Sequence, residues 1–223
     1  MASAPADGAR KARAGALIAA CIAEQGSAAH PYFASAQLLR GPDASRNLAD
    51  AVHFICILHG RHPGVIDLAA EREVDASAQA WLEQAAAAFA AERHYLTRLA
   101  VAAGPVPGTP GGSASEAAVI GQRGAIATLA RSERRGCALG AALGLAADWT
   151  RIRPALDVAA RRLGVEAPAS ALSDLESIRS AAEAASGSPP VERALLFGTE
   201  QILVQHHGLW ALLEARAQAR GHG

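Results

Sequence analysis

The stretch from Pro189 to Arg220 constrains this chain most. Two prolines open it, where a helix start loses no hydrogen bond to them. About thirty residues then follow with two glycines and no further proline, a pattern that fits one long helix. At ~100° per residue, Leu196, Thr199, Leu203, His206, Trp210 and Leu213 fall on one stripe. Glu200 and His207, seven apart, stand about 20° from each other on its flank. A carboxylate and a histidine pair beside a Trp/Leu seam is more than a plain packing helix needs.

Further helices are written along the rest of the chain. Residues 8–25 predict a first helix ending near Gly26, and Pro31 to Leu39 a short one. Asp43 or Ser45 caps a helix running to Gly60, with Leu48, Ala51, Val52, Ile55 and His59 on one face and Asp50 and His53 pointing away. The segment His59-Gly-Arg-His62-Pro-Gly sets two histidines at that helix end, where histidine suits the negative end of the dipole. Val65 to Arg72 reads as a short helix. A long one covers 75–103, its apolar face holding Trp81, Ala85, Phe89, Leu96 and Leu99 with Glu92 in the middle.

Residues 104–112, Gly-Pro-Val-Pro-Gly-Thr-Pro-Gly-Gly, form an uncharged exposed crossover loop. Ser113-Ala-Ser-Glu116 then matches a capping box and starts a helix over 114–150. Its seam runs through Val119, Ile126, Leu129, Glu133, Cys137, Gly140 and Gly144. Gly136, Gly140 and Gly144 recur every four residues, a spacing that lets a neighbouring backbone approach closely. Pro154 starts or kinks a further piece, and 170–185 forms another helix capped by Ser170 or Ser173. No strand alternation of useful length occurs. The fold class is therefore all-α: an antiparallel bundle of four long helices (46–60, 75–103, 114–150, 190–219) with additional short helices, in a single domain over residues 1–223. Residues 8–45 supply an N-terminal helix and turn, and 46–220 the bundle.

Composition narrows the function classes. Alanine fills about a quarter of the 223 positions and aromatics only 4%, which suits helices packed through small side chains. Twenty-one basic and 21 acidic residues cancel, so no global field draws nucleic acid. No apolar run reaches the ~20 residues of a membrane span. Three separated cysteines without a CxxC fit a reduced, bacterial cytoplasm. A minor alternative is a lipoprotein anchored at Cys21, because Ile18-Ala-Ala-Cys21 follows the basic run at 10–13 and resembles a lipoprotein cleavage box. Association into a homo-oligomer is left open. Neither GxSxG, a phosphate-binding glycine loop nor HExxH is present.

The polar seam residues are His59, Glu92, Glu133, Glu200 and His206. A buried carboxylate is costly unless paired, protonated or metal-bound. Carboxylates and histidines converging from several helices hold iron or manganese pairs in bundles. With these residues on four long helices around the 104–112 connection, the chain resembles the ferritin-like superfamily. The family's Glu-x-x-His motif is replaced here: Tyr95, Gly136 and Leu203 follow the three glutamates at i+3. Asp50-Ala-Val-His53 is the only acidic match. The resemblance implies a di-metal (iron or manganese) centre with those five residues as metal ligands and, if the chain is an enzyme, a metal-dependent oxidoreductase. The alternative is a non-catalytic structural or small-ligand-binding helical protein without metal, in which Glu92 and Glu133 pair with Arg123, Arg134 or His206 as buried ion pairs. Convergence of the glutamates on a histidine favours the first reading, and their separation the second.

Overall fold

Helix-favouring residues, parted by short connections, fold into nine α-helices among the described residues, with no strand. The computed structural model describes residues 4–73 and 75–221, and side chains from Arg13 onward; Arg10 and Lys11 of the basic run fall outside those side chains. The helices are α1 (Ala4–Gln25), α2 (Ala36–Leu39), α3 (Ala44–His59), α4 (Val65–Arg72), α5 (Ala76–Ala103), α6 (Gly112–Ala130), α7 (Cys137–Leu163), α8 (Leu175–Ala185) and α9 (Pro189–Gly221). Two 3-10 turns, Ser27–Ala29 and Pro31–Ala34, join α1 to α2. No described helix is long and apolar enough to cross a membrane.

At the centre lie α7 and α9, the most extensively packed pair. Most of the α9 stripe is fully withdrawn from water: Thr199 and Leu203 are 0% exposed, His206 1% and Trp210 0%. What brings the two helices together is the absence of side chains. A Cβ on Gly140 would lie 2.0 Å from the Leu195 carbonyl oxygen, and one on Gly198 2.1 Å from that of Cys137. Thr199 Oγ1 uses this proximity to donate to the Gly140 carbonyl at 2.9 Å. Around this pair, α3, α4, α5 and α6 pack together on one side, while α1 lies against α8 and α9.

Three local expectations are corrected. The helix read over 114–150 is two helices, α6 and α7, parted at 131–136. Gly136 takes φ +91°, a left-handed conformation that glycine adopts without strain, and it caps α7 instead of continuing a helix. The seam phase is thereby lost at Glu133, which is exposed. The cap of α6 is Gly111 with no side-chain cap bond, and Ser115 Oγ bonds the Gly111 carbonyl, so the serine box is not used. Asp174, not a serine, caps α8.

The periodicity of α3 points Asp50 outward, but it is 1% exposed. The C-terminal turns of α9 cover that face of α3: Arg216 donates to both Asp50 oxygens at 2.9 and 3.1 Å, and Arg220 adds a third bond. Both arginines also reach Thr109 Oγ1, holding the largely exposed 104–111 connection to the body.

The α7–α9 contact yields the first prediction. Gly140→Leu should lower stability by about 3 kcal/mol or more, at or beyond the upper end for inserted bulk. Gly121→Ala, where a Cβ meets nothing within 4 Å, should raise it by ~0.5–1 kcal/mol. Urea melts of the two variants measure the contrast; equal midpoints would refute the close crossing.

Candidate functional site

The polar interior is built from the turn after α1 inward. Gly26 ends α1 where a side chain would strike the Asp148 carboxylate, its Cβ falling 2.8 Å from Oδ1. Without it, Ser27 presents both donors to Asp148: its amide at 2.8 Å to Oδ1 and its hydroxyl at 2.6 Å to Oδ2. Trp210 Nε1 in turn donates to the Ser27 hydroxyl at 2.7 Å. His206 Nδ1 completes the set at 2.6 Å from Asp148 Oδ2, and its other nitrogen, Nε2, stands 2.9 Å from His59 Nε2. A chain of groups thus runs from the α1 turn through α7 and α9 to the last residue of α3.

This chain has a definite charge logic. Burial alone would raise the Asp148 carboxyl, but the bonds from His206 and Ser27 outweigh it and hold the group below its usual range. Asp148 is therefore ionised and accepts throughout, which places a proton on His206 Nδ1. His59 is held well below its ordinary value, first by burial and then by the neighbouring His206, and is neutral. One proton occupies the bond between the two Nε2 atoms. When it belongs to His206, His59 Nδ1 carries a donor N–H; when it belongs to His59, Nδ1 is a bare acceptor. The network thus sets the protonation of His59 Nδ1, which has no hydrogen-bond partner among the described residues.

His59 also lines a cavity of about 370 Å³. Its buried members are His59 and an apolar wall of Leu58, Val65, Phe89, Ile126, Ala130 and Leu145. Phe89 is fixed edge-on to Trp149 at 4.8 Å between ring centres, and the Trp149 ring also stands edge-on to His59 at 5.9 Å. The segment from Arg61 to Gly64 forms one rim. It is anchored because Asp67 Oδ2 accepts from the Gly64 amide at 2.7 Å while Arg93 grips both Asp67 oxygens. Along α6 the rim carries Ile120, 43% exposed, with Arg123 and Gly124, and Arg131 follows at the helix's C-terminal cap. No carboxylate lines the cavity.

Of the five residues read as metal ligands, only His59 and His206 meet. Glu92 is 3% exposed, but its oxygens are taken by Arg153 at 2.8 and 3.0 Å and by Trp149 Nε1 at 3.0 Å. Its partner is thus an α7 arginine rather than Arg123, Arg134 or His206. Arg153 is itself braced by Asp157 at 2.8 Å, lies over the Tyr95 ring at 4.4 Å, and donates to the Pro168 carbonyl. Glu133 sits exposed in the break between α6 and α7. Glu200 is half-buried on the α1 side of α9, where its charge is the second cause, after burial, of a Cys21 thiol pushed up to about 11. Such an arrangement offers no shared donor set for two cations. Among the described residues no group of three or more His, Cys, Asp and Glu side chains is placed to hold a metal ion.

The residues that do build the site include three the pattern missed. Asp148 follows Gly140 and Gly144 at the same four-residue spacing, so extending that seam one turn would have found it. Ser27 and Arg153 carry no comparable signal, since one lies in a turn and the other is one of many arginines. His207, on the α9 flank, packs edge-on to His30 at 5.0 Å, away from the cavity residues. His62 is exposed and lies 3.4 Å from Asp67.

A model of a protein family of unknown function, DUF6975, matches residues 22–221. The chain belongs to this family. The DUF6975 match takes in the whole network from Ser27 to Trp210 and every residue lining the cavity. No curated protein and no solved structure matches the chain.

The neutral, buried His59 makes stability pH-dependent. On unfolding it regains its ordinary value near 6.5, so the unfolded chain binds the extra proton below that pH. Stability should fall as pH drops from about 7 towards 5, by at most ~1.4 kcal/mol per pH unit for this one group. His30, also lowered by burial and by His207, acts in the same direction. His59→Gln should therefore flatten, without abolishing, the slope of urea-derived stability against pH; an unchanged slope would refute a neutral His59.

Proposed function

We propose that this DUF6975 protein binds a small ligand in the cavity bordered by α3, α4, α5, α6 and α7, with buried ion pairs rather than a cation neutralising its interior carboxylates. One observation carries the reading. A largely apolar cavity of ligand size is lined by His59, a polar group tied through its Nε2 to three further buried residues. Apolar walls supply affinity by burial, and a single fixed polar group supplies orientation. The ion pairs support the same reading, because Asp67–Arg93 and Glu92–Arg153 each brace a segment that borders the cavity. A di-metal centre, the reading drawn from the ferritin-like resemblance, would instead need Glu92 released from Arg153 and Trp149.

Gly124 separates fold from function. It lines the cavity within α6, yet a Cβ there meets nothing within 4 Å. Gly124→Leu should raise the melting temperature by ~1–4 °C through helix propensity while its side chain occupies the cavity. The expected outcome is that wild-type protein binds 1-naphthol, a small neutral bicyclic probe, at one site by isothermal titration calorimetry, and that Gly124→Leu binds it at least tenfold more weakly. Absence of binding of both 1-naphthol and straight-chain ten-carbon probes to the wild type would overturn the cavity reading. A melting temperature raised by Fe²⁺ or Mn²⁺, and no longer raised in Glu92→Ala, would restore the metal reading.

A further inference from the structure

The cavity's charge is at odds with the rest of the molecule. Among the residues whose burial is described, every arginine wholly or partly withdrawn from water bonds a carboxylate, with one exception. Arg93 holds Asp67, Arg153 holds Glu92, Arg216 and Arg220 hold Asp50, and Arg179 holds Glu176. The exception is Arg123, half-buried at the cavity, which has no hydrogen-bond or ion-pair partner among the described residues. Withdrawing part of a guanidinium from water without an anion is unfavourable, so such a group is matched by something it binds. Two exposed arginines, Arg61 and Arg131, line the same cavity without a carboxylate partner among the described residues, in a chain whose total charge is zero. Ile120, 43% exposed, adds an apolar surface beside them.

We propose that the ligand of this cavity is a free amphipathic anion: an acyl chain or comparable apolar body lying against Phe89, Ile126 and Leu145, with a carboxylate head at Arg123 and support from Arg61 or Arg131. The proposal rests on the cavity reading above and names its ligand class. Volume sets the size. At ~30 Å³ per water-sized group, about 370 Å³ holds roughly a dozen heavy atoms, the size of a ten-carbon carboxylate. Arg123 and Arg131 stand eight residues apart on or next to α6, about 12 Å along the axis, so the head is gripped by one of them at a time rather than by a closed ring. Arginine suits the role, since its planar fork matches a carboxylate in two parallel hydrogen bonds.

The test is calorimetric titration of the full chain with decanoate, decan-1-ol and decylammonium, with the melting temperature followed in parallel. Decanoate should bind at one site, at least tenfold tighter than decan-1-ol, with decylammonium weaker still. Arg123→Gln should reduce the decanoate-to-decanol preference to near unity while leaving decan-1-ol affinity unchanged, and Arg123→Lys should restore part of it. Equal affinity for decanoate and decan-1-ol, or a preference untouched in Arg123→Gln and in the Arg61→Gln/Arg131→Gln double variant, overturns the anion inference and leaves the cavity standing. If no ten-carbon probe and no 1-naphthol binds, the cavity reading falls with it. Binding to phosphatidylglycerol vesicles with no binding of free decanoate also overturns the proposal, since it assigns the arginines to a membrane surface.

Discussion

A carboxylate with no exposure must be satisfied on every side, and Asp148 organises much of the interior in being so satisfied. Its partners come from the turn after α1 and from α9, and through His206 the chain of contacts reaches α3. Removing any one of them would leave a buried charge or a buried donor unpaired, which costs more than an intact bond contributes. Such a buried network contributes only modestly to net stability. Trp210 shows how far the constraint spreads: its indole nitrogen spends its one proton on the hydroxyl that serves Asp148.

The backbone contact of α7 with α9 makes that network possible. Gly140 and Gly198 bring the two helices to a separation at which the short aspartate and imidazole side chains can meet. With larger residues at the crossing, the gap would have to be filled by longer side chains or water. On one side of this rigid pair the smaller elements are fastened by ion pairs, with Asp67–Arg93 fixing the turn after α3 and Glu92–Arg153 tying α5 to α7. The cavity lies where these braced pieces meet, so its shape depends on charges that never touch it.

Much of this was legible in the chain, and the misses share a cause. The α9 stripe, the helices over 8–25, 46–60 and 75–103, and the connection after Ala103 follow from 3.6-residue periodicity and from glycine and proline placement, which are local properties. Periodicity also implied that Glu92 is buried, as it is. It could not show that the phase is broken at 131–136, because a glycine at positive φ and a helical glycine look alike in a sequence. Glu133 therefore counted as a seam residue and is exposed. Asp50 counted as exposed because only one face of α3 looked apolar; the second face is covered by a salt-bridged surface, which leaves no apolar signature.

By itself, then, the sequence determined the helices, the apolar faces they must bury, and the need of several inward polar groups for partners. Local propensity and amphipathic spacing suffice for that. Which partner each group received was decided only in the tertiary structure: Arg153 for Glu92, Asp148 and His59 for His206, Arg216 and Arg220 for Asp50. So too was the convergence of an unpaired Arg123 on an apolar cavity. The physical reason is that pairing energy depends on distance and burial across helices tens of residues apart. Those quantities exist only once the helices have crossed, and the angle and depth of each crossing come from packing rather than from any one segment.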